Sequence, residues 1–555
     1  MNKSWWKEAV VYQIYPRSFL DTDSDGIGDL RGILGKLDYL QSLGVTAVWL
    51  CPIYPSPNVD NGYDISDYKA IAPEFGTMAD FELLLSEMHR HGLRLIMDMV
   101  FNHTSDQHPW FQQAIRDPAS PYRNYYFFRD GQNGGPPNNW ASHFSFSAWE
   151  KEPRGEQYYL HLYATEQPDL NWDCPAVREE VFSVLNFWKQ KGVDGFRLDV
   201  INDVSKTPGL PAMPGEGLQL AAPYFANGPR MHEYLREMNR RLLEGTELMT
   251  VGEMVFVTPE QARIYTAEDS HELNMIFHFE HMGLDCVGGD KWKPRPWTLS
   301  EFKQCFGKWQ EALAREGWNS LYLNNHDQPR MVSRFGSEKF RGQSAKLLCT
   351  FLLTLRGTPF LFQGEELGMT NAHWNRIAEY RDVDTLNHYK DVMQTGEQGE
   401  AELMAVIAAR SRDNARTPMQ WNAGFNAGFT TGAPWIGLNP NYLQINAEAE
   451  ERDEASVLSY YRQMIRLRKA EPVLIYGDYR PLRIEHPQVY AYLREWNTQR
   501  ILVLLNFSAD AAEICLPDTV LANTAADLLI GNGAVSTLER IQPLTSYEAQ
   551  VWRLS

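Results

Sequence analysis

The chain has 555 residues, of which 43% are hydrophobic and 22% are charged. At about 150 residues per domain, this length corresponds to three to four domains, and the composition excludes a chain that is mostly disordered. Its 71 acidic and 52 basic residues leave a formal charge of −19. A surface of that sign repels phosphate backbones and anionic lipids, so we expect neither nucleic acid nor membrane partners.

The cysteines and the apolar segments indicate the compartment. The six cysteines are scattered without a Cys-x-x-Cys pair, which argues against a zinc cage and against a disulfide framework. The N-terminal residues contain no secretory signal, and the most apolar segment, 347–362, is too short and too interrupted to span a bilayer. We therefore expect a cytoplasmic protein. A monomer is our default expectation, since no feature of the sequence determines the oligomeric state.

Short apolar segments alternate with longer segments of helical spacing through the first two thirds of the chain. This alternation predicts an α/β protein with a parallel sheet. Most of the apolar segments end in a polar cluster, which is typical of a (β/α)8 TIM barrel with its active site at the C-terminal ends of the strands. The eight predicted strands are 10–15, 47–50, 93–100, 195–200, 248–252, 275–279, 320–323 and 359–363.

Two segments depart from the barrel pattern. About a hundred residues separate strands three and four, and 131–140 is rich in turn-forming residues, which predicts an inserted loop-rich subdomain. The last part of the chain has strands and turns without helices, which predicts a C-terminal antiparallel β-sandwich. The predicted division is a catalytic barrel of residues 1–103 and 174–472, an inserted subdomain of 104–173, and a C-terminal β domain of 473–555.

Three acidic residues follow predicted barrel strands. Arg197 and Asp199 alternate along strand four and so share one face, where the arginine would lower the pKa of the aspartate by about one to three units. A structural ion pair explains that segment equally well. Glu253 ends strand five and Asp327 follows strand seven. Carboxylates at one opening repel each other, so at least one of the three has a raised pKa and serves as proton donor. That division of labour suits glycoside hydrolysis, in which one carboxylate attacks the anomeric carbon and another protonates the leaving oxygen.

Four motifs carry a family resemblance: Asp98-Met-Val-Phe-Asn-His103, Gly195-Phe-Arg-Leu-Asp199, Glu253, and Asn325-His-Asp327. In this order they resemble glycoside hydrolase family 13, the α-amylase family, over essentially the whole chain. The resemblance implies a retaining mechanism with Asp199 as nucleophile, Glu253 as general acid/base and Asp327 as stabiliser of the transition state. The first two carboxyl groups are then expected about 5–5.5 Å apart.

The same matching implies a set of contacts to the non-reducing glucose. Asp60 paired with Arg412 would close the pocket behind the O4 of the sugar, so that the enzyme acts on chain ends. Phe144 and Gln167 match more loosely, and a packed aromatic ring and a loop-capping amide are the alternatives for these two. The implied substrate contacts are Asp60, Tyr63, His103, Phe144, Gln167, Arg197, His326 and Arg412.

An acidic segment near the start, 21–29, places carboxylates at alternate positions around a glycine. That layout suits a hard cation with oxygen ligands, although it lacks the complete EF-hand pattern. Related oligosaccharide-cleaving members of the family imply a structural Ca²⁺, and a solvated acidic turn is the alternative. We expect no cofactor for catalysis. The implied ligands are Asp21, Asp23, Asp25, the Ile27 carbonyl and Asp29.

Within the family, the chain resembles the oligo-1,6-glucosidase, isomaltase and dextran glucosidase group. Val200 follows the implied nucleophile, and valine there accompanies a preference for α-1,6 bonds, as in isomaltose, panose and isomaltulose. Trehalose-6-phosphate hydrolases share this valine but often lack the complete acidic loop, and they stay open as an alternative. Noncatalytic transporter subunits with similar barrels need a membrane helix and lose the catalytic acids, so this alternative is weak.

Sucrose isomerases are a further relative. They share a segment rich in Arg and Asp after strand six, whereas this chain reads Glu-His-Met-Gly-Leu-Asp-Cys at 280–286. We therefore do not expect efficient isomerisation. Hydrolysis of isomaltulose, the product of such an isomerase, stays open.

Overall fold

The structure is a computed structural model that describes residues 3–521, 525–534 and 537–555. Its centre is an eight-stranded parallel barrel, and all eight strands predicted from the sequence are confirmed to within three residues at each end. The strands are β1 (Val11–Ile14), β2 (Ala47–Leu50), β3 (Arg94–Val100), β4 (Gly195–Asp199), β5 (Met249–Glu253), β6 (Met275–Phe277), β7 (Ser320–Leu321) and β8 (Thr358–Phe362).

The strands are hydrogen-bonded in the order β6-β5-β4-β3-β2-β1-β8-β7. A parallel bridge between Ile276 and Asn319 connects the two outer strands and closes the barrel. Nearly every strand residue is buried, as expected for a parallel sheet whose two faces are both covered. The C-terminal ends of all strands consequently meet at one opening.

Helices cover the outside of the barrel. The helix after β2 illustrates why they form: Thr77 and Asp80 make a capping box at its start, and its buried residues repeat with the period of one helical face. The main outer helices are Leu30–Leu34, Leu37–Leu43, Met78–Arg90, Pro175–Lys191, Met231–Met238, Pro259–Thr266, Leu299–Ala312, Arg341–Thr354 and Val457–Ala470.

The inserted subdomain follows β3. It contains the helix Pro109–Arg116 and a small antiparallel sheet of Phe128–Asp130, Gln157–Leu160 and Trp149–Lys151, with Gln157–Leu160 in the middle.

Residues from beyond β4 complete this subdomain. The strand Trp140–Ala141 pairs in parallel with Gln219–Leu220, and Trp140 shares a buried cluster with Leu210 and Phe225. The sequence division at residue 173 did not anticipate this contribution. The reason is that the missing half of the apolar core lies in a separate loop of the barrel.

A second excursion follows β8 and contains the helices Val383–Thr395 and Glu400–Arg410. Asn387 on the first helix donates a hydrogen bond to the Phe144 carbonyl at 3.0 Å. The excursion and the inserted subdomain therefore meet above the barrel opening.

The C-terminal part forms an antiparallel domain, as predicted. Tyr490 and Tyr492 on its central strands pack with the barrel core, whereas Ala491 and Leu493 face a separate apolar cluster under a two-stranded sheet, which is the alternation expected of strands buried on both faces. The five-stranded sheet has the order Asp478–Leu482, Val489–Trp496, Gln499–Asn506, Ala549–Leu554 and Ala526–Gly531, and the small sheet pairs Ala512–Cys515 with Ile541–Leu544.

Two further features are the state of the cysteines and the character of the helices. All six cysteines are free thiols, and four of them are buried. Among the described residues, no helix combines the length and the apolar character that crossing a membrane requires.

Candidate active site

A cavity of about 1060 Å³ lies at the C-terminal ends of the barrel strands. Its walls come from the loops that follow the strands and from the inserted subdomain. Gln167, Arg197 and His326 lie buried behind these walls and contact lining residues. The predicted site residues that line the cavity are Asp60, Tyr63, His103, Phe144, Asp199, Glu253, Asp327 and Arg412.

One buried guanidinium organises the carboxylates on β3, β4 and β5. The strand register places Asp98 opposite Arg197. Arg197 Nη1 donates to Asp98 Oδ1 and to Asp199 Oδ1, each at 2.7 Å, and its Nη2 contacts Glu253 Oε2. With only 1% of its surface exposed, Arg197 holds both predicted catalytic carboxylates from behind and does not line the cavity.

The pKa of Asp199 is raised, whereas the sequence predicted that Arg197 would lower it. Burial raises it to about 7, assisted by the negative charges of Asp98 and Asp327 and opposed by Arg197. The prediction that Arg197 would set a low pKa is therefore wrong, because removing the carboxylate from water costs more than the single ion pair restores.

Asp327 has the opposite electrostatics. Burial disfavours its charge, but His326 and Arg412 hold its pKa well below the ordinary range. Arg412 Nη1 donates to Asp327 Oδ1 at 3.1 Å, Arg416 Nη2 donates to the same oxygen at 2.7 Å, and His326 Nε2 lies 3.0 Å from the other oxygen. Asp327 is thus a permanent negative charge at the cavity wall, suited to stabilising a developing positive charge.

Tyr63 and Gln167 connect the inner wall. The Tyr63 hydroxyl donates to Asp98 Oδ2 at 2.9 Å, and its ring stacks on His326 with the planes 9° apart. Gln167 Nε2 lies 3.2 Å from Asp60 Oδ2 and 3.0 Å from His103 Nε2. Gln167 is completely buried, so it holds two lining residues from behind the cavity wall.

An ion pair between Asp60 and Arg412 forms part of the cavity wall. Arg412 Nη2 donates to Asp60 Oδ1 at 2.9 Å, and its guanidinium lies 4.7 Å from the centre of the Phe144 ring. Residues from the loop after β2, from the inserted subdomain and from the excursion after β8 therefore meet at this point.

Three residues of this network were not among the predicted site residues. Asp98 lies in the first quoted motif, where its position opposite Arg197 becomes apparent only from the strand register. Arg416 lies one helical turn after Arg412, a spacing that could have indicated it. Asp382, which accepts hydrogen bonds from Arg412 at 2.6 and 2.8 Å, carries no local sequence signal.

The outer part of the cavity contains several ion pairs. Lys291 pairs with Asp384, and Lys308 pairs with Glu280. Asp285, behind the wall, holds both Arg334 at 2.7 Å and Arg410 at 2.5 Å.

In the acidic loop, the structure brings together three of the predicted ligands. One carboxylate oxygen from each of Asp21, Asp23 and Asp29 lies within 4.8 Å of the others. Asp25 does not join them, and its Oδ1 accepts a hydrogen bond from the Ile27 backbone N–H at 2.7 Å.

The conformation of this loop depends on Gly26. Its φ is +91°, and a Cβ atom there would lie 1.8 Å from the Ala433 carbonyl oxygen. A residue with a side chain would therefore disrupt both the turn and its packing against the neighbouring loop.

Carboxylates that converge on a cavity at the C-terminal ends of the strands of a β/α barrel are the arrangement that glycoside hydrolases use. Comparison with known families supports this class: residues 13–477 match "Alpha amylase, catalytic domain" and residues 479–545 match "Maltogenic Amylase, C-terminal domain". The chain belongs to the α-amylase family, as the sequence motifs indicated.

Individual relatives are similar over at least nine tenths of their length. An oligo-1,6-glucosidase of Parageobacillus thermoglucosidasius is 52% identical over 560 residues, covering 100% of both chains. A trehalose-6-phosphate hydrolase of Escherichia coli (strain K12) is 49% identical over 508 residues, covering 91% of each chain. The crystal structure of an isomaltulose synthase from Klebsiella sp. LX3 superposes with a TM-score of 0.97 at 46% identity, covering 100% of both chains.

Proposed function

We propose that the protein is a retaining, exo-acting α-glucosidase that hydrolyses α-1,6 bonds at the non-reducing ends of short oligosaccharides such as isomaltose, panose and isomaltulose. The observation that carries this proposal is the placement of Asp199 and Glu253 on adjacent strands beside the cavity. In this proposal the ion pair of Asp60 and Arg412 in the cavity wall closes the end that receives the terminal glucose. The similarity to proteins named oligo-1,6-glucosidase supports the choice of bond.

The residues account for a two-step reaction. Ionised Asp199 attacks the anomeric carbon while protonated Glu253 donates its proton to the leaving oxygen, which releases the rest of the oligosaccharide. Glu253 then removes a proton from a water molecule that hydrolyses the glucosyl ester of Asp199. The permanent charge of Asp327 stabilises the oxocarbenium-like transition state in both steps.

The charges of the cavity favour a neutral substrate over a sugar phosphate. Arg412, Lys291 and Lys308 have carboxylate partners within the lining, and the remaining two cations share the single carboxylate of Asp285 behind the wall. The seven carboxylates of the lining outnumber its five cations, so the cavity disfavours a phosphate. The lining carboxylates are Asp60, Asp199, Glu253, Glu280, Asp290, Asp327 and Asp384, and the lining cations are Lys291, Lys308, Arg334, Arg410 and Arg412.

The experiment compares initial glucose release from isomaltose, isomaltulose, maltose and trehalose 6-phosphate under identical conditions, with Asp199→Asn as the inactive control. We expect isomaltose or isomaltulose to be cleaved fastest. If trehalose 6-phosphate is cleaved fastest, the protein is a trehalose-6-phosphate hydrolase and the charge argument is wrong. If maltose is cleaved fastest, the α-1,6 assignment fails.

We also propose that the acidic loop holds a structural Ca²⁺. The supporting observation is the hard oxygen donor set of Asp21, Asp23 and Asp29; the Ile27 carbonyl completes the proposed ligands. The loop precedes the first barrel helix, whose N-terminus Asp29 caps, so the ion would stabilise the barrel.

The test is a thermal melt with and without a chelator. We expect EGTA to lower the melting temperature of the wild type and added Ca²⁺ to restore it, with no such shift in Asp21→Asn. Asp25→Asn is the matched control and should keep the response, because this carboxylate lies outside the cluster. Identical melting curves of the wild type with EGTA and with Ca²⁺ would contradict the proposal.

Finally, we propose that the protein acts as a monomer in the cytoplasm. Six free cysteines suit a reducing compartment. Light scattering after size-exclusion chromatography should give one chain mass, and cell fractionation should place the activity with cytosolic markers. A mass of two chains, or activity outside the cytosol, would overturn the corresponding part of the proposal.

A further inference from the structure

Asp382 lies one layer behind the cavity wall and touches no part of the cavity. It is completely buried. Its Oδ1 accepts hydrogen bonds from Arg412 Nε at 2.8 Å and from Arg412 Nη2 at 2.6 Å. Although burial opposes its charge, Arg412, Arg416 and Lys291 hold the pKa of Asp382 well below its ordinary range, so it is ionised at neutral pH.

These contacts occupy the inner edge of the Arg412 guanidinium. The outer N–H groups of Arg412 then point to Asp60 at 2.9 Å and to Asp327 at 3.1 Å. Among the described residues, the other carboxylates that hydrogen-bond to Arg412 are Asp60 and Asp327, which both line the cavity. Without Asp382, these hydrogen bonds would therefore hold the guanidinium only from the cavity side. Arg416 lies 3.7 Å from Asp382 and cannot replace an anion at that position.

The second carboxylate oxygen of Asp382 caps a helix. Oδ2 accepts from the Thr385 backbone N–H at 3.2 Å and from its hydroxyl at 2.6 Å, at the N-terminus of Val383–Thr395. That helix contacts both sides of the cavity, because Asn387 bonds to the Phe144 carbonyl and His388 stacks on Trp292. One side chain therefore fixes Arg412 relative to an element that spans the cavity walls.

From this arrangement we infer that Asp382 is a positioning residue for the proposed reaction: its carboxylate holds Arg412 in the place where the closed end of the cavity binds the terminal glucose. A displacement of about 1 Å in a substrate-positioning group can cost about 100-fold in rate. The inference predicts that removing the carboxylate weakens glucose binding even though Asp382 never touches the sugar.

The test uses Asp382→Ser, because serine retains the helix cap while it removes the charge. We expect kcat/KM for isomaltose to fall about 100-fold, mainly through a higher KM, and the inhibition constant of glucose to rise about 10-fold. Added formate should restore part of the activity by occupying the vacated carboxylate position. Wild-type activity should not respond to formate.

The matched control is Thr77→Ala, which removes the cap of the barrel helix Met78–Arg90, none of whose residues lines the cavity. Thr77→Ala should lower the melting temperature by a few degrees with kinetic constants unchanged. A similar decrease is expected for Asp382→Ser, because Arg412 then loses a buried anion. Equal kinetic losses in both variants would show that Asp382 acts only through stability and would overturn the inference.

A second variant keeps the test decisive if Asp382→Ser does not fold. In Asp382→Asn the amide oxygen can still cap the helix. The amide N–H₂ group then faces Arg412 and offers it no acceptor. We therefore expect a folded protein with the same rise in KM. A folded, active variant of either kind with kinetic constants within twofold of the wild type would overturn the inference. The inference rests on the proposed function, which fails separately if the wild type hydrolyses none of the glucosides.

Discussion

The raised pKa of Asp199 predicts where catalysis is lost as the pH falls, and Asp98 offers a way to move that point. The nucleophile must be ionised, so a pKa of about 7 predicts that kcat/KM falls as the pH is lowered through 7. The interacting oxygens of Asp98 and Asp199 both lie 2.7 Å from Arg197 Nη1, and are therefore at most about 5.4 Å apart. At an effective dielectric constant of about 20, two charges at that separation repel with about 3 kcal/mol, or about 2 pKa units.

Asp98→Asn should therefore shift the acid limb of the kcat/KM profile to lower pH by about one to two units. The assay is glucose release from isomaltose well below KM between pH 4 and 9. Tyr63→Phe is the matched control, because it removes a neutral donor from Asp98 and leaves the charge, so its acid limb should stay near that of the wild type. An Asp98→Asn enzyme whose acid limb does not move, or moves to higher pH, would refute the reasoning.

Three other predictions concern single residues. Asp199→Asn and Glu253→Gln should each abolish turnover of isomaltose while the circular dichroism spectrum is unchanged; full activity in either one would rule out the mechanism. Burial raises the pKa of Glu365 to about 8, so the folded state binds a proton that the unfolded state has released, and the free energy of unfolding should decrease as the pH rises from about 4.5 to 8. In denaturant titrations, Glu365→Gln should weaken the dependence of the unfolding free energy on pH. An equal dependence on pH in the wild type and the variant would contradict this prediction. Val200 lines the cavity and has a left-handed backbone conformation with φ 34°. Val200→Ala should raise the activity on maltose relative to isomaltose by about 5-fold or more. An unchanged ratio of the two activities would show that Val200 does not determine the preferred bond.

The barrel could be predicted because each strand carries its own signal. In β3, for example, an apolar run is long enough to be buried on both faces and is followed by polar residues. The strand Asp478–Leu482 has a much weaker sequence signal, for an equally local reason. It contains Pro481 and lies at the edge of its sheet, where a missing N–H is tolerated but the sequence does not look like a strand.

The site was only partly predictable, because a motif identifies its own residues but not the residues from distant segments that contact them. The motif around Asp199 indicated an arginine beside a carboxylate, but the pKa of Asp199 also depends on burial, on Asp98 of β3 and on Asp327 of the loop after β7. Arg412 was expected in the cavity, whereas its anchor Asp382 lies in a different segment of the excursion after β8. Such contacts arise when the chain folds back on itself, and no periodicity or spacing encodes them.

The shared core of the inserted subdomain has a consequence for synthesis on the ribosome. Ala141 pairs with Leu220, and this partner emerges roughly 80 residues later, on the order of ten seconds at typical elongation rates. During that interval Trp140, which is fully buried in the finished protein, lacks part of its covering. The nascent chain therefore exposes an aromatic surface above an unfinished barrel, and we expect slowed elongation between these segments to increase chaperone dependence and aggregation of this enzyme.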